Sequence, residues 1–208
     1  MIFTTPRTVP NITPLRKTIA SYLGQVLTPE IAAEIEASVA LVPDESIDPE
    51  QFGVLSYAGY AIKAERFKDI QDELHVLHKL HWQETEKHRH GLEMDPDYAE
   101  FCRRERAGGL LQFTLRNGNE LVGNMRMYLS TSIHTQTRYA SEDTIFIKPE
   151  HRGGFAAMAM MRFAEKCLLS LGIREIRGNS KLVNHADVLM RRLGYTPVAT
   201  EFVKFFKD

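Results

Sequence analysis

Two groups of residues in this sequence have types and spacings that can do chemistry. The first is Ile145-Phe-Ile-Lys-Pro-Glu-His-Arg-Gly-Gly-Phe-Ala-Ala157, followed directly by Met158-Ala-Met-Met-Arg-Phe-Ala-Glu165. A short apolar, β-prone run stops at Pro149, a turn with two glycines follows, and a helix rich in alanine and methionine begins. The first N–H groups of a helix have no intrahelical acceptor, and the helix dipole favours negative charge at that end. Gly153 and Gly154 let the backbone close on a ligand that a Cβ would hold off. Ala156 and Ala157 keep the first turn uncrowded, and Met158, Met160 and Met161 read as core filling. This is the pattern of a phosphate site. It lacks the Gly-Lys-Ser/Thr ending of a P-loop and the Gly-x-Gly-x-x-Gly spacing of a dinucleotide fold.

The second group is His75, His78, His81 and His88, with Glu84, at three- and four-residue steps along one predicted helix. Imidazole and carboxylate both bind zinc. Positions 75, 78 and 81 drift around the helix, however, and no cysteine joins them. The expectation is a polar helix face and no metal.

The elements that must hold these residues follow from periodicity. Leu15 to Leu27 is helical, and Thr28-Pro-Glu-Ile31 starts a second helix with Thr28 as N-cap, running to about Val39. Val42 to Pro49 reads as a linker, which places a boundary near residue 55 between a helical extension (1–55) and a larger domain (56–208). In that domain Tyr57 to Lys63 is a predicted strand, and Phe67 to Lys87 a long helix with Ile70, Leu74, Leu77 and Leu80 at helical spacing. Pro96 to Ala107 is a further helix, closed by Gly108-Gly109. Leu110 to Leu115 and Leu121 to Leu129 are strands joined by the hairpin signal Arg116-Asn-Gly-Asn-Glu120. Thr144 to Lys148 is a strand, Phe155 to Leu171 a helix, Arg174 to Arg177 a strand, Val183 to Leu193 a helix, and Tyr195 to Phe206 a closing pair of strands. The fold class is therefore α/β with a mixed sheet.

A chain of 208 residues, 43% hydrophobic, can bury a full core. Its net charge is −1, made of three Lys/Arg against seven Asp/Glu in residues 1–59 and 23 against 20 in the remainder. That distribution argues against nucleic-acid binding and suits a small phosphate-bearing ligand. Cys102 and Cys167 are too few and too far apart for a disulfide framework. The sequence shows no membrane-length apolar run and no signal-peptide pattern, so a cytoplasmic protein with no membrane partner is expected.

The apolar-x-apolar-x-Pro-x-x-Arg-Gly-x-x-Ala-Ala pattern resembles the acetyl-CoA-binding segment of the GCN5-related N-acetyltransferases, the GNAT superfamily. Leu182-Val-Asn-His-Ala-Asp-Val-Leu-Met-Arg-Arg-Leu-Gly-Tyr195 is similar to a second segment of that superfamily, with Asn184, Ala186, Leu189, Gly194 and Tyr195 in place and one residue fewer between Asn and Ala. The order of elements over roughly residues 57–206 matches as well. His81-Trp-Gln-Glu-Thr-Glu86 and Ser141-Glu-Asp-Thr144 are similar to blocks in the acetyltransferases common in bacteriophage genomes. The resemblance implies a GNAT fold with a helical N-terminal extension, acetyl-CoA as co-substrate, and a small-molecule or protein amine as acceptor. It implies that Arg152, Gly153, Gly154, Phe155, Ala156 and Ala157 hold the pyrophosphate. The backbone of Phe146 and Ile147 would align the pantetheine and supply the oxyanion donor, while Asn179 or Asn184 holds its far end. The end of the long helix borders the acceptor pocket in the superfamily, so Trp82, Glu84 and Glu86 are expected to contact the amine.

Two positions depart from the superfamily pattern. A tyrosine that commonly protonates the leaving thiolate is Met190 here, and a thioether has no proton to donate. Tyr195, Tyr139 and Ser180 are the candidate replacements, with Tyr195 also suited to core packing. Phe155 stands where a glycine is usual, so its side chain must point away from the pyrophosphate, into the core. Transfer to an amine needs a base for its proton. Glu142, beside Asp143 at the start of the fourth strand, is the first candidate, the alternative being that both acids are solvated loop charges. His134 is the second candidate, because imidazole titrates near neutrality. Met190, Phe155 and the extension also leave open a GNAT-fold interaction module without useful catalysis. Acetylation of aminoacyl-tRNA is a third reading, disfavoured by the near-neutral charge. The extension can cap the acceptor site, form a homodimer contact or dock a partner.

Overall fold

The computed structural model describes residues 13–39, 44–87, 91–152, 154–181 and 186–204. In chain order it contains α1 (Thr13–Ser21), α2 (Pro29–Val39), β1 (Val54–Tyr57), β2 (Tyr60–Glu65), α3 (Gln71–Thr85), α4 (Tyr98–Arg106), β3 (Leu110–Asn117), β4 (Glu120–Thr131), β5 (Arg138–Ile147), α5 (Ala156–Ser170), β6 (Glu175–Arg177) and α6 (Ala186–Arg192). The six strands form one sheet in sequence order, antiparallel except for the parallel β5–β6 pair.

Local signals account for most of this. Thr28 caps α2 as expected, its hydroxyl accepting the Ile31 N–H at 3.3 Å. Asp97 caps α4 by accepting the Glu100 N–H at 2.9 Å. The β3–β4 hairpin turns at Gly118, with φ +57°. The strand expected over residues 57–63 is instead a hairpin, β1 and β2, turning at Ala58 and Gly59 with φ +48° and +86°. A two-residue turn of that kind favours Asn-Gly or Gly-Gly, so Ala58-Gly59 carried little signal.

Helices cover both faces of the sheet. On one face, Met160, Met161, Ala164, Cys167 and Leu168 of α5 pack with Ile62, Phe113, Leu115, Met125 and Met127. On the other, Leu74 and Leu77 of α3 pack with Phe67, Leu121 and Phe146. Two covered faces explain why β3 and β4 are buried along nearly their whole length rather than at alternate residues. Among the described residues no helix is long and apolar enough to cross a membrane.

The closing pair of strands expected over residues 195–206 is not present in residues 195–204, which carry no strand; residues 205 and 206 lie outside the described residues. Val198 and Phe202 are 92% and 90% exposed. Strand propensity needs a partner ladder to become a strand. Pro197 removes one of the donors such a ladder uses.

One glycine is required by a close approach. A Cβ on Gly123 of β4 would meet Ile147 Cγ1 at 2.9 Å, the Phe146 carbonyl oxygen at 3.1 Å and Leu115 Cβ at 3.3 Å. Two of these belong to β5 where it borders the site described below. Gly123→Ala is expected to destabilise the fold by about 1–3 kcal/mol through overpacking, measured as a lower urea midpoint at unchanged m-value.

Candidate active site

β5 and β6 run side by side only from Tyr139↔Glu175 to Ser141↔Arg177. β5 continues to Ile147, paired with β4 on its other side. From Glu142 onward the edge of β5 that would face β6 pairs with no strand among the described residues. Two parallel strands that part in this way leave backbone donors and acceptors lining a cleft, to which an extended ligand can add as a strand would.

Glu142 sits where the strands part. β5 begins at Arg138, six residues before the Thr144 start read from the sequence, so Glu142 and Asp143 lie inside a strand and are not solvated loop charges. Thr144 pairs with Arg126 and Glu142 with Met127, which leaves Asp143 as an unpaired extra residue, a β-bulge. A bulge shifts the alternation by one residue, so Asp143 and Thr144 both serve the α3 side and the parity of inward-facing residues changes across them. Ala140 before the bulge and Ile147 after it belong to the α5-side core, while Phe146 belongs to the α3-side core.

The α3 side of the bulge is held by a polar network. The Asp143 carboxylate accepts from Arg126 Nε at 2.9 Å and Nη2 at 2.6 Å. Arg126 lies 4.0 Å above the Phe101 ring and 3.4 Å from His78 Nε2. His75 and His78 both share the Tyr98 hydroxyl, at 2.9 and 3.1 Å, and His81 Nδ1 is 2.9 Å from the Thr144 hydroxyl. Burial, with Arg126 beside it, pushes His78 down to about 3. Burial likewise lowers His81. Both are neutral imidazoles at pH 7. These three histidines are hydrogen-bonding residues that brace the bulge, and His88 lies outside the described residues.

Glu142 is on the opposite face, 8% exposed, with its Oε2 accepting the Asn179 N–H at 3.1 Å across the cleft. Burial pushes its carboxyl up to about 7, the neighbouring Asp143 adds to the rise, and the Asn179 N–H opposes it. A buried carboxyl that is half ionised at neutral pH is matched to proton transfer.

The glycine turn follows at the end of β5. Gly154 has φ +58°, and a Cβ there would have nothing within 4 Å. Among the described residues no side chain caps the start of α5, and the first N–H groups of a helix have no intrahelical acceptor. Ala156 is buried and Ala157 half-buried. Phe155 is 57% exposed, not in the core as its sequence position suggested: it precedes the first helical turn, where α5 has not yet turned a face to the sheet. Gly153 and Asn184 lie outside the described residues.

Arg152 does not extend into the turn. Its Nε donates to the Ile147 carbonyl at 2.7 Å, and its two terminal nitrogens grip the Glu84 carboxylate at 2.9 and 2.6 Å. The guanidinium lies 5.1 Å from the centre of the Phe146 ring. Glu86, two residues further on at the C-cap of α3, pairs with Lys181 at 2.6 Å. Trp82 Nε1 donates to the Leu92 carbonyl at 3.0 Å, anchoring the segment that follows α3.

His134 is separate from this constellation. It lies exposed in the β4–β5 turn, its N–H bonded to the Ser132 hydroxyl, with Arg138 to Glu142 alone spanning about 13 Å of strand. Met190 is buried against Gly178, where an added Cβ would meet its Cε at 2.8 Å. Tyr195 packs on the α5-side core. Its hydroxyl is buried without a well-formed hydrogen bond among the described residues, and burial, then the Glu165 carboxylate, then Glu142 raise its pKa. The Tyr139 ring lies under Arg177 at 3.9 Å, and Ser180 is half-buried beyond Asn179. Arg126 and Lys181 were not singled out in the sequence. An arginine inside a predicted strand was the available signal for the first, and Lys181 had none.

No protein-family model matches the chain, and no curated protein sequence matches it. Solved structures do. A ribosomal-protein-alanine N-acetyltransferase from Brucella melitensis biovar Abortus 2308 superposes with a TM-score of 0.58 at 19% identity, covering 71% of this chain and 99% of that one. An aminoglycoside acetyltransferase from an uncultured soil metagenomic sample gives 0.56 at 12%, over 72% and 96%. A predicted acetyltransferase from Clostridium acetobutylicum, solved with acetyl-CoA, gives 0.54 at 14%, over 71% and 96%. The mixed six-stranded sheet with helices on both faces is the GNAT fold of these neighbours.

Proposed function

We propose that this protein is an acetyl-CoA-dependent N-acetyltransferase that acts by direct transfer to a primary amine, with Glu142 as general base. The observation that carries the reading is a buried carboxylate, poised near neutrality, at the point where β5 leaves β6. The shared fold supports acetyl transfer, and two neighbours bear names of enzymes acting on amines.

The residues present fit acetyl-CoA. The edge of β5 from Glu142 to Ile147 that would face β6 suits the two amides of a pantetheine arm. Gly154 and the uncapped start of α5 suit a pyrophosphate, with Ala156 and Ala157 leaving its first turn narrow. Asn179 borders the same cleft. Acetyl-CoA supplies the activated acetyl thioester and a thiolate leaving group.

Glu142 takes the proton that the acceptor's nitrogen must lose as the C–N bond forms. Backbone N–H groups of Phe146 or Ile147 donate to the oxygen on which negative charge develops. As the C–S bond breaks, the leaving thiolate must gain a proton, and the Tyr195 hydroxyl, buried without a well-formed hydrogen bond among the described residues, is the candidate donor in a chain that has Met190 at the usual position. The transferase domain takes in the whole six-stranded sheet, whose first strand begins at Val54, and the two helices before it form an extension.

The test is a calorimetric titration with acetyl-CoA and with CoA, followed by a thiol-release screen of amines. Micromolar binding and acceptor-dependent thiol release are expected. No binding up to millimolar would return the chain to the class of GNAT-fold interaction modules.

A further inference from the structure

The Glu84–Arg152 ion pair joins two residues that the superfamily resemblance assigns to different ligands, Arg152 to the pyrophosphate and Glu84 to the amine. The pair is well formed, with two parallel bonds of 2.9 and 2.6 Å, and Arg152 Nε adds a third bond to the Ile147 carbonyl. It is also accessible, with side-chain exposures of 41% for Arg152 and 38% for Glu84. An exposed pair of this kind is readily exchanged for a stronger partner. A pyrophosphate is one, because it offers a second charge and more oxygens to the same planar fork. The neighbouring Glu86 behaves differently: its side chain is only 12% exposed, and it pairs with Lys181 rather than with the arginine beside the glycine turn.

We propose, resting on the transferase reading, that Glu84 and Arg152 form a latch between the two substrate sites. CoA phosphates take Arg152, and only then is the Glu84 carboxylate free to receive the ammonium of a cationic acceptor. The acceptor is therefore a positively charged amine, and it binds second. Before the cofactor arrives, the one acid of the α3 end that can be released is neutralised by the arginine the cofactor needs. Coupling of this kind is reciprocal, so a change at Glu84 must be felt in CoA affinity although Glu84 contributes no contact to CoA.

The test is CoA calorimetry on the full chain and on Glu84→Gln, Arg152→Gln and the double variant, with thermal melts as a check on folding. Glu84→Gln is expected to tighten CoA binding about threefold to fivefold, the scale of an exposed ion pair. Arg152→Gln is expected to weaken it about tenfold or more. In the Arg152→Gln background the Glu84→Gln gain should vanish, which separates the latch from a general field of negative charge. Glu84→Ala checks the result if the glutamine itself bonds Arg152. Unchanged or weaker CoA binding in both Glu84 variants, or an equal gain with and without Arg152, overturns the latch while leaving the transferase reading intact. No CoA binding by the unaltered chain overturns both.

Discussion

Replacing Glu142 by glutamine is expected to lower kcat by about a hundredfold, the usual scale for removing a general base, with CoA affinity within about twofold of the unaltered protein. Gln keeps an oxygen for the Asn179 N–H, so the cleft retains its shape. The pH profile carries a sharper signature. Below pH 7 Glu142 is mostly protonated and cannot accept a proton, so the rate should rise with pH through an apparent pKa of about 7. That limb should disappear in Glu142→Gln. The same carboxyl makes a prediction for stability. Its pKa is about 7 in the folded protein against 4.5 in the unfolded chain, so the folded state binds more protons between those values. Its stabilising contribution is present below pH 4.5 and is lost as pH rises to 7. Glu142→Gln should accordingly be more stable than the unaltered protein at pH 8, by up to about 3 kcal/mol, and nearly equal to it at pH 4. Urea denaturation at the two pH values measures this. An unchanged pH–rate profile would remove Glu142 as the base.

Gly154→Glu is expected to raise the CoA dissociation constant at least a hundredfold (about 3 kcal/mol), because it sets a carboxylate at the turn where helix N–H groups should meet pyrophosphate. The left-handed φ of +58° also penalises any side chain. Gly154→Asn separates the two effects, since asparagine tolerates that conformation and carries no charge. It should lose only a few-fold in affinity, at a similar melting temperature to Gly154→Glu. Retained CoA affinity in Gly154→Glu would take the glycine turn out of the cofactor site, whatever Glu142 does.

The features that could be read directly were those encoded within a few residues. The β3–β4 hairpin turns at Gly118-Asn119, and α2 starts at Thr28-Pro29, because turn and cap geometry are properties of local backbone and short polar side chains. α3 and α5 follow from apolar residues recurring at helical spacing, and the strand–glycine–helix passage from Ile145 to Glu165 is legible without reference to any other segment. What the tertiary structure decided depends on residues far apart in the chain. The bulge at Asp143 exists only by comparison with the register of β4, and it extends β5 back to Arg138, past the start that apolar character suggested. The polar stretch Arg138 to Asp143 gains its strand from partners: ladder bonds to β4, and Arg126 holding the Asp143 carboxylate. The histidines of α3 became braces because Tyr98, Arg126 and Thr144 came to them. Arg152 met Glu84 across 68 positions of sequence. The basicity of Glu142 is likewise a property of its surroundings, since desolvation by neighbouring segments lifts a carboxyl from 4.5 to about 7. The sequence alone determined where α2 is capped, where the β3–β4 hairpin turns and where α3 and α5 wind, because those energies are local; burial, register and the partner of each charge came only from packing.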